Sequence, residues 1–148
     1  MYDIPVTLTA NPKQKPADES KLGFGKIFTD HMFIMDYEVG RGWFDARVVP
    51  YGPFEMDPAC TVFHYAQEIF EGMKCYRRKD GGLQLFRPRD NFARMNRSAA
   101  RMGMPDIDIE QALAGQPETD ARWVGHYIDD VTNTVRIEFY GEDSEAFI

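Results

Sequence analysis

Two glycine-bearing turns, Gly40-Arg41-Gly42 and Lys79-Asp80-Gly81-Gly82, each lie between short apolar runs, and a stretch with helical spacing follows each pair of runs. Residues 26–37, rich in Ile, Phe and Met, read as one strand, and Trp43 to Val49 as its return. Pro50, Gly52, Pro53 and Pro58 then break the chain. From Thr61 to about Gly72, the residues Val62, Tyr65, Ala66, Ile69 and Met73 fall at i, i+3, i+4, i+7 and i+11. That spacing predicts a helix, with Asp57 or Thr61 as its cap and Gly72 as its left-handed end. Lys74 to Arg78 and Leu83 to Phe86 form the second hairpin. A second helix starts after Pro88, with Asp90 placed to cap it, and runs to about Met102 on a buried stripe of Phe92, Met95, Ala99 and Met102. Hairpin, helix, hairpin, helix over residues 24–106 predicts an α+β fold, an antiparallel sheet with packed helices.

The flanks read differently. Residues 1–23 form an N-terminal arm whose polar stretch 11–22 carries Pro12 and Pro16, which oppose helix and strand alike. Residues 1–105 hold 15 basic and 13 acidic side chains, whereas residues 106–148 hold 2 and 11. This shift near Pro105 marks residues 107–148 as a divergent acidic tail. Within it, Ile109 to Leu113 reads as a turn or two of helix and Val131 to Tyr140 as a strand. A net charge of −7 and a pI near 4.9 argue against nucleic-acid binding, which needs a basic footprint. The start, Met1 to Leu8, is too short and polar for a signal peptide, and the apolar run Met32 to Met35 is far below a membrane span. A soluble cytoplasmic protein with no membrane partner is the expectation.

Few residues announce chemistry by pattern. Cys60 and Cys75 show no metal spacing and read as small apolar residues. His31 and His64 lack partners at ligand spacing and read as structural, so no metal is expected. No Ser-His-Asp set or glycine-rich phosphate loop is visible. Tyr65 and Phe70 read as core residues. Arg94, Arg97 and Arg101 lie at i, i+3 and i+7 and share one helix face, with Ser98 beside them. The pattern alone favours a solvated face; a guanidinium fork also suits a pair of phosphate oxygens, so an anion site is the alternative. None of the lysines, at 13, 15, 21, 26, 74 and 79, reads as a desolvated nucleophile.

In order along the chain stand Phe24-Gly-Lys-Ile-Phe-Thr-Asp-His-Met32, His64-Tyr65, Phe70-Glu71-Gly72-Met73-Lys74, Leu85-Phe86-Arg87-Pro88, Asn91, Arg94-Met95, Ser98-Ala99 and Arg101. This series, over roughly residues 4–106, resembles the branched-chain amino-acid aminotransferases, which are fold-type IV pyridoxal-phosphate (PLP) enzymes. The resemblance implies the small N-terminal domain of such an enzyme, usually a homodimer or larger. It also implies PLP as cofactor, and leucine, isoleucine or valine with 2-oxoglutarate as substrates in branched-chain amino-acid biosynthesis.

On the same resemblance Arg94 grips the cofactor phosphate, while Arg97 and Arg101 keep the solvated reading. Phe24, Tyr65 and Phe70 line the pocket for the branched side chain, and Gly72 lets the backbone approach it. The family's Schiff-base lysine lies in a larger second domain, so no catalytic residue is assigned here and the chain alone is expected to be inactive. Asp120-Ala-Arg-Trp123-Val124 resembles a family Asp-x-x-Trp-Val segment. The family's following Tyr-x-Arg strand has its nearest match in Tyr127-Ile128-Asp129, which makes Tyr127 a substrate-contact candidate and leaves the arginine without a counterpart. Two other readings stand beside this one. One is a non-catalytic binding or oligomerisation module. The other is the small domain of a related fold-type IV enzyme, a D-amino-acid aminotransferase or aminodeoxychorismate lyase.

Overall fold

The structure is a computed structural model that describes residues 3–14, 28–53, 55–73, 75–80, 83–114, 124–129 and 134–140. β1 (His31–Glu38) and β2 (Gly42–Pro50) form the first hairpin. Its turn needs Gly40 at φ 89° and Gly42 at φ 82°, where a side chain would be strained. Met32, Phe33, Ile34 and Met35 are all buried, because β1 is an interior strand with both faces covered. It pairs antiparallel with β2 on one side and with β6 (Thr134–Tyr140) on the other; β6 in turn pairs antiparallel with β5 (Val124–Asp129). The four-stranded order is therefore β2-β1-β6-β5. Between Ile34 and Asp36 the register shifts, and Asp45 on β2 takes φ 55°. Arg47 holds this irregular stretch by donating to Asp36 Oδ2 at 2.8 Å and to the Asp45 carbonyl at 2.7 Å.

The outer edge of β2 is not left open. Thr7 N–H donates to the Val48 carbonyl and Val48 N–H to the Pro5 carbonyl, both at 2.9 Å, so the arm adds a short parallel bridge. His31 Nε2 accepts from Thr9 N–H at 2.9 Å, and Lys13 Nζ donates to the Phe28 and Thr29 carbonyls at 3.1 and 2.7 Å. Both side chains tie the arm to the sheet.

α1 (Thr61–Tyr65) is shorter than its spacing predicts. Ala66, at φ 49° and ψ 40°, ends it in the left-handed region, so Gly72 is not its cap. Beyond Ala66 the buried residues are Ile69, Glu71 and Met73, a period of two that belongs to extended chain. The same apolar positions fit a helical template and an extended one, and the extended one is realised. Tyr65 and Phe70 are exposed, contrary to the core reading. The cap residue is Cys60 with no side-chain bond; Asp57 instead accepts from Ala59 N–H at 2.7 Å in the preceding turn.

β3 (Cys75–Arg77) and β4 (Leu83–Leu85) make the second, separate hairpin. α2 (Pro88–Met102) follows, its cap residue being Arg87 at φ 50°. Asp90 lies inside the first turn and binds the Arg87 side chain rather than capping the helix. Gly103 closes α2, with Met104 N–H reaching the Ala99 carbonyl at 2.9 Å. Phe92, Met95 and Ala99 are buried as predicted. Met102 is 37% exposed, and Met104, carried inward past the glycine, takes its place in the core. α3 (Ile109–Ala114) packs beside α2, and Arg89 donates to Glu110 at 3.0 and 2.7 Å between them.

The core gathers Phe33, Met35 and Val48 from the sheet, Ile69 and Met73 from the extended segment, and Phe92, Met95 and Ala99 from α2. The observed class is α+β, with helices packed on antiparallel sheet. Among the described residues no helix is long and apolar enough to cross a membrane.

Candidate functional site

The buried stripe fixes how α2 is rotated. With Phe92, Met95 and Ala99 turned into the core, Asn91 and Arg94, three residues apart, share the face that meets the extended segment after Ala66. Gln67 anchors that segment at its start by donating from Nε2 to the Met102 carbonyl at 2.9 Å. The period-two burial then turns the Glu71 side chain inward, where it is 6% exposed.

A carboxylate in that position needs partners, because burying an unpaired charge is costly. Glu71 has them. Arg94 Nε donates to Oε2 at 2.8 Å, and Arg94 Nη2 donates to Oε1. Asn91 Nδ2 donates to Oε1 at 3.1 Å, and the Gly72 N–H donates to the same oxygen at 3.0 Å. Asn91 Nδ2 also donates to the Gly72 carbonyl at 2.7 Å. Burial on its own raises the Glu71 pKa. The hydrogen bonds from Arg94 and Asn91, the Arg94 charge and the Gly72 N–H outweigh it and hold the carboxyl below its ordinary value. The hydrogen bond and charge of Glu71 in turn push the Arg94 guanidinium up.

Arg94 itself is 61% exposed. A guanidinium has two forked edges, and Glu71 fills only the one made by Nε and Nη2. The end-on edge, Nη1 with the second N–H of Nη2, has no acceptor among the described residues. An arginine held on one edge and open on the other is suited to a planar or tetrahedral anion such as a phosphate.

Of the other candidate residues, Phe70 and Gly72 flank Glu71 directly in the chain. Tyr65, 81% exposed, precedes the Ala66 reversal, and Phe70, 59% exposed, points away from the buried Glu71 beside it. A Cβ on Gly72 would meet only the Phe70 ring, at an ordinary 3.7 Å, so packing here does not demand glycine. Phe24 lies outside the described residues. Tyr127 is on β5, paired in register with Arg136 of β6. His64 Nε2 bonds the Pro58 carbonyl at 2.8 Å. Among the described residues no group of His, Cys, Asp or Glu could hold a metal. Glu71 and Asn91 are the residues that sequence reasoning passed over. The signal was there in the shared face of Asn91 and Arg94 and in the alternation Ile69, Glu71, Met73.

Comparison with known proteins gives a consistent set of names. Branched-chain-amino-acid aminotransferase 2 of Bacillus subtilis is 48% identical over 124 residues, which are 82% of this chain and 34% of that protein. Branched-chain-amino-acid transaminase 1 of the same organism is 52% identical over 115 residues, 76% of this chain and 32% of that protein. A probable branched-chain-amino-acid aminotransferase of Streptomyces coelicolor is 43% identical over 128 residues, 80% of this chain and 35% of that protein. The chain thus spans about a third of the length of the curated relatives it matches. Among solved structures, the PLP form of the branched-chain amino acid aminotransferase from Thermobaculum terrenum overlaps 74% of this chain and 39% of that one. The TM-score is 0.49 at 14% identity. No protein-family model matches the chain.

Proposed function

We propose that this chain, most of which is homologous to part of the branched-chain-amino-acid aminotransferases, contributes the phosphate arginine and part of the substrate wall to such an enzyme. The complete enzyme moves the amino group of leucine, isoleucine or valine to 2-oxoglutarate in the cytoplasm. When bound, PLP supplies the electron sink for chemistry at the amino-acid α carbon. The residues here fit its phosphate: Arg94 presents a solvent-facing edge with no competing acceptor among the described residues. That edge is the observation that carries the reading. Tyr65 and Phe70 stand exposed near the same segment, as residues that close on a substrate from a second body would. Phe24, Gly72 and Tyr127 complete the proposed substrate contacts.

No described lysine is placed to act as the nucleophile. Lys13 Nζ is occupied by two carbonyls, and Lys79 is exposed in a turn. Neither Lys13 nor Lys79 is therefore assigned a nucleophilic role. The exposed apolar side chains Phe63, Tyr65, Phe70 and Phe86 favour association, and a homo-oligomer is part of the proposal. Light scattering that shows a monomer at every concentration would remove that part.

Equilibrium dialysis of the purified chain against PLP and against pyridoxal, which lacks the phosphate, tests the central assignment. PLP is expected to be retained more tightly than pyridoxal, and Arg94→Ala is expected to erase the difference while Arg97→Ala leaves it intact. Equal retention of the two by the wild type overturns the phosphate role. Turnover of leucine with 2-oxoglutarate that survives both Arg94→Ala and Tyr65→Ala overturns the assignment of the remaining roles.

A further inference from the structure

We propose that Glu71 is a positioning residue, whose buried carboxylate locks Arg94 so that its free guanidinium edge is a preset receptor for the phosphate. The inference rests on the reading of Arg94 given above. Arginine on a helix surface has many rotamers, and an anion that binds a mobile arginine must first order it. Here that ordering is done within the fold. Glu71 takes the Nε and Nη2 donors in a two-point contact that fixes the plane of the guanidinium as well as its position. Glu71 cannot swing with it, because Asn91 and the Gly72 N–H hold the same carboxylate, and Asn91 is anchored again on the Gly72 carbonyl. The burial difference sets the roles: the carboxylate is 6% exposed and the guanidinium 61%, so the acid faces the core and the arginine faces the solvent.

Two effects of Glu71 on an incoming anion oppose one another. Its negative charge repels the anion, and its grip removes the cost of ordering Arg94. The carboxylate lies on the adjacent edge, sharing only Nη2 with the open one, and the positive guanidinium stands beside both anions, which weakens the repulsion. The preorganisation acts directly on those donors, so the grip dominates and loss of Glu71 weakens phosphate binding.

The test uses the full chain and the ratio of PLP to pyridoxal affinity as the measure of phosphate recognition. Glu71→Gln keeps the shape, removes the charge and places a donor against Arg94. It is expected to lower the ratio on the order of tenfold, the scale of one charge-assisted hydrogen bond. The same change in an Arg94→Ala background is expected to do nothing further, which separates positioning from a general loss of structure. In parallel, the Arg94 Nε–H resonance, followed by nuclear magnetic resonance, is expected to be protected from exchange in the wild type and to lose that protection in Glu71→Gln. A ratio that stays level or rises while the protection is lost overturns the inference and leaves Arg94 as the phosphate residue. A ratio insensitive to Arg94→Ala overturns the phosphate reading and this inference with it. Should Glu71→Gln fail to fold, Asn91→Ala removes one donor from Glu71 and keeps both charges. A smaller fall in the ratio then supports the proposal, and an unchanged ratio overturns it.

Discussion

The Asn96 side-chain amide clamps the backbone of Ile107 from both sides: Nδ2 donates to the Ile107 carbonyl, and the Ile107 N–H donates to Oδ1, each at 3.0 Å. Ile107 is buried, so neither backbone group has water to fall back on. The clamp pins the segment after Gly103 to α2 and carries Met104 and Ile107 into the core. Asn96→Ala leaves both groups unpaired and is expected to cost about 2–4 kcal/mol of stability. Asn96→Asp keeps the acceptor and loses the donor, so its cost is expected to be smaller. Urea denaturation of the three proteins checks the order.

Exposure divides the aromatic residues sharply. Phe92 is fully buried between α2 and the sheet, and Phe92→Ala is expected to cost about 3–5 kcal/mol, the transfer term plus the cavity. Tyr65→Ala and Phe70→Ala remove side chains that touch little of this fold, and their stability is expected to stay within about 0.5 kcal/mol of wild type. Thermal melts decide between these. A large loss at Tyr65 would mean that it packs in the fold rather than standing ready for a substrate.

Asp45 holds φ 55° at the register shift between β1 and β2. Aspartate tolerates the left-handed region better than a branched residue, and its carboxylate pairs with Arg47 at 2.8 Å. Asp45→Val is expected to cost about 1–2 kcal/mol from backbone strain alone. Asp45→Gly relieves the strain and loses the ion pair, so it is expected to lie close to wild type. Chemical denaturation of both variants tests whether strain or charge governs the position.

The elements that local rules govern were legible in the sequence. Gly40 and Gly42 marked the first turn, and Pro88 marked the start of α2 because it suits the first turn of a helix and no interior position; the structure adds Gly103 as the residue that closes it. The stretch after Tyr65 was not legible as extended chain, since Ile69 and Met73 satisfy a period of four as well as a period of two. What ends the helix is Ala66, a residue with no turn signal of its own, while the glycine that looks like a cap lies six positions later. The pairing of β6 with β1 joins residues about a hundred positions apart, which no local pattern encodes. For the same reason the candidate site was half visible. By pattern alone Arg94 stood out only as one of three arginines on a face; the family resemblance singled it out, and the fold supplies the physical distinction from Arg97 and Arg101. It does so by bringing Glu71, 23 positions upstream, against it.

That contact also sets a pH dependence. Hydrogen bonds from Arg94, Asn91 and Gly72, with the Arg94 charge, keep the folded-state pKa of Glu71 below its ordinary value of 4.5 despite burial. Between the two values the unfolded chain binds more protons than the folded one, so stability rises with pH across that window. The contribution is fully present above the unfolded value and is lost as pH falls through the folded one. Glutamine cannot titrate, so the stability difference between wild type and Glu71→Gln is expected to be flat at neutral pH and to shrink below pH 4.5. Urea denaturation of the two proteins across a pH series gives that difference directly. A difference that instead widens on acidification would mean that burial outweighs the hydrogen bonds and that Glu71 is protonated more readily in the fold than out of it.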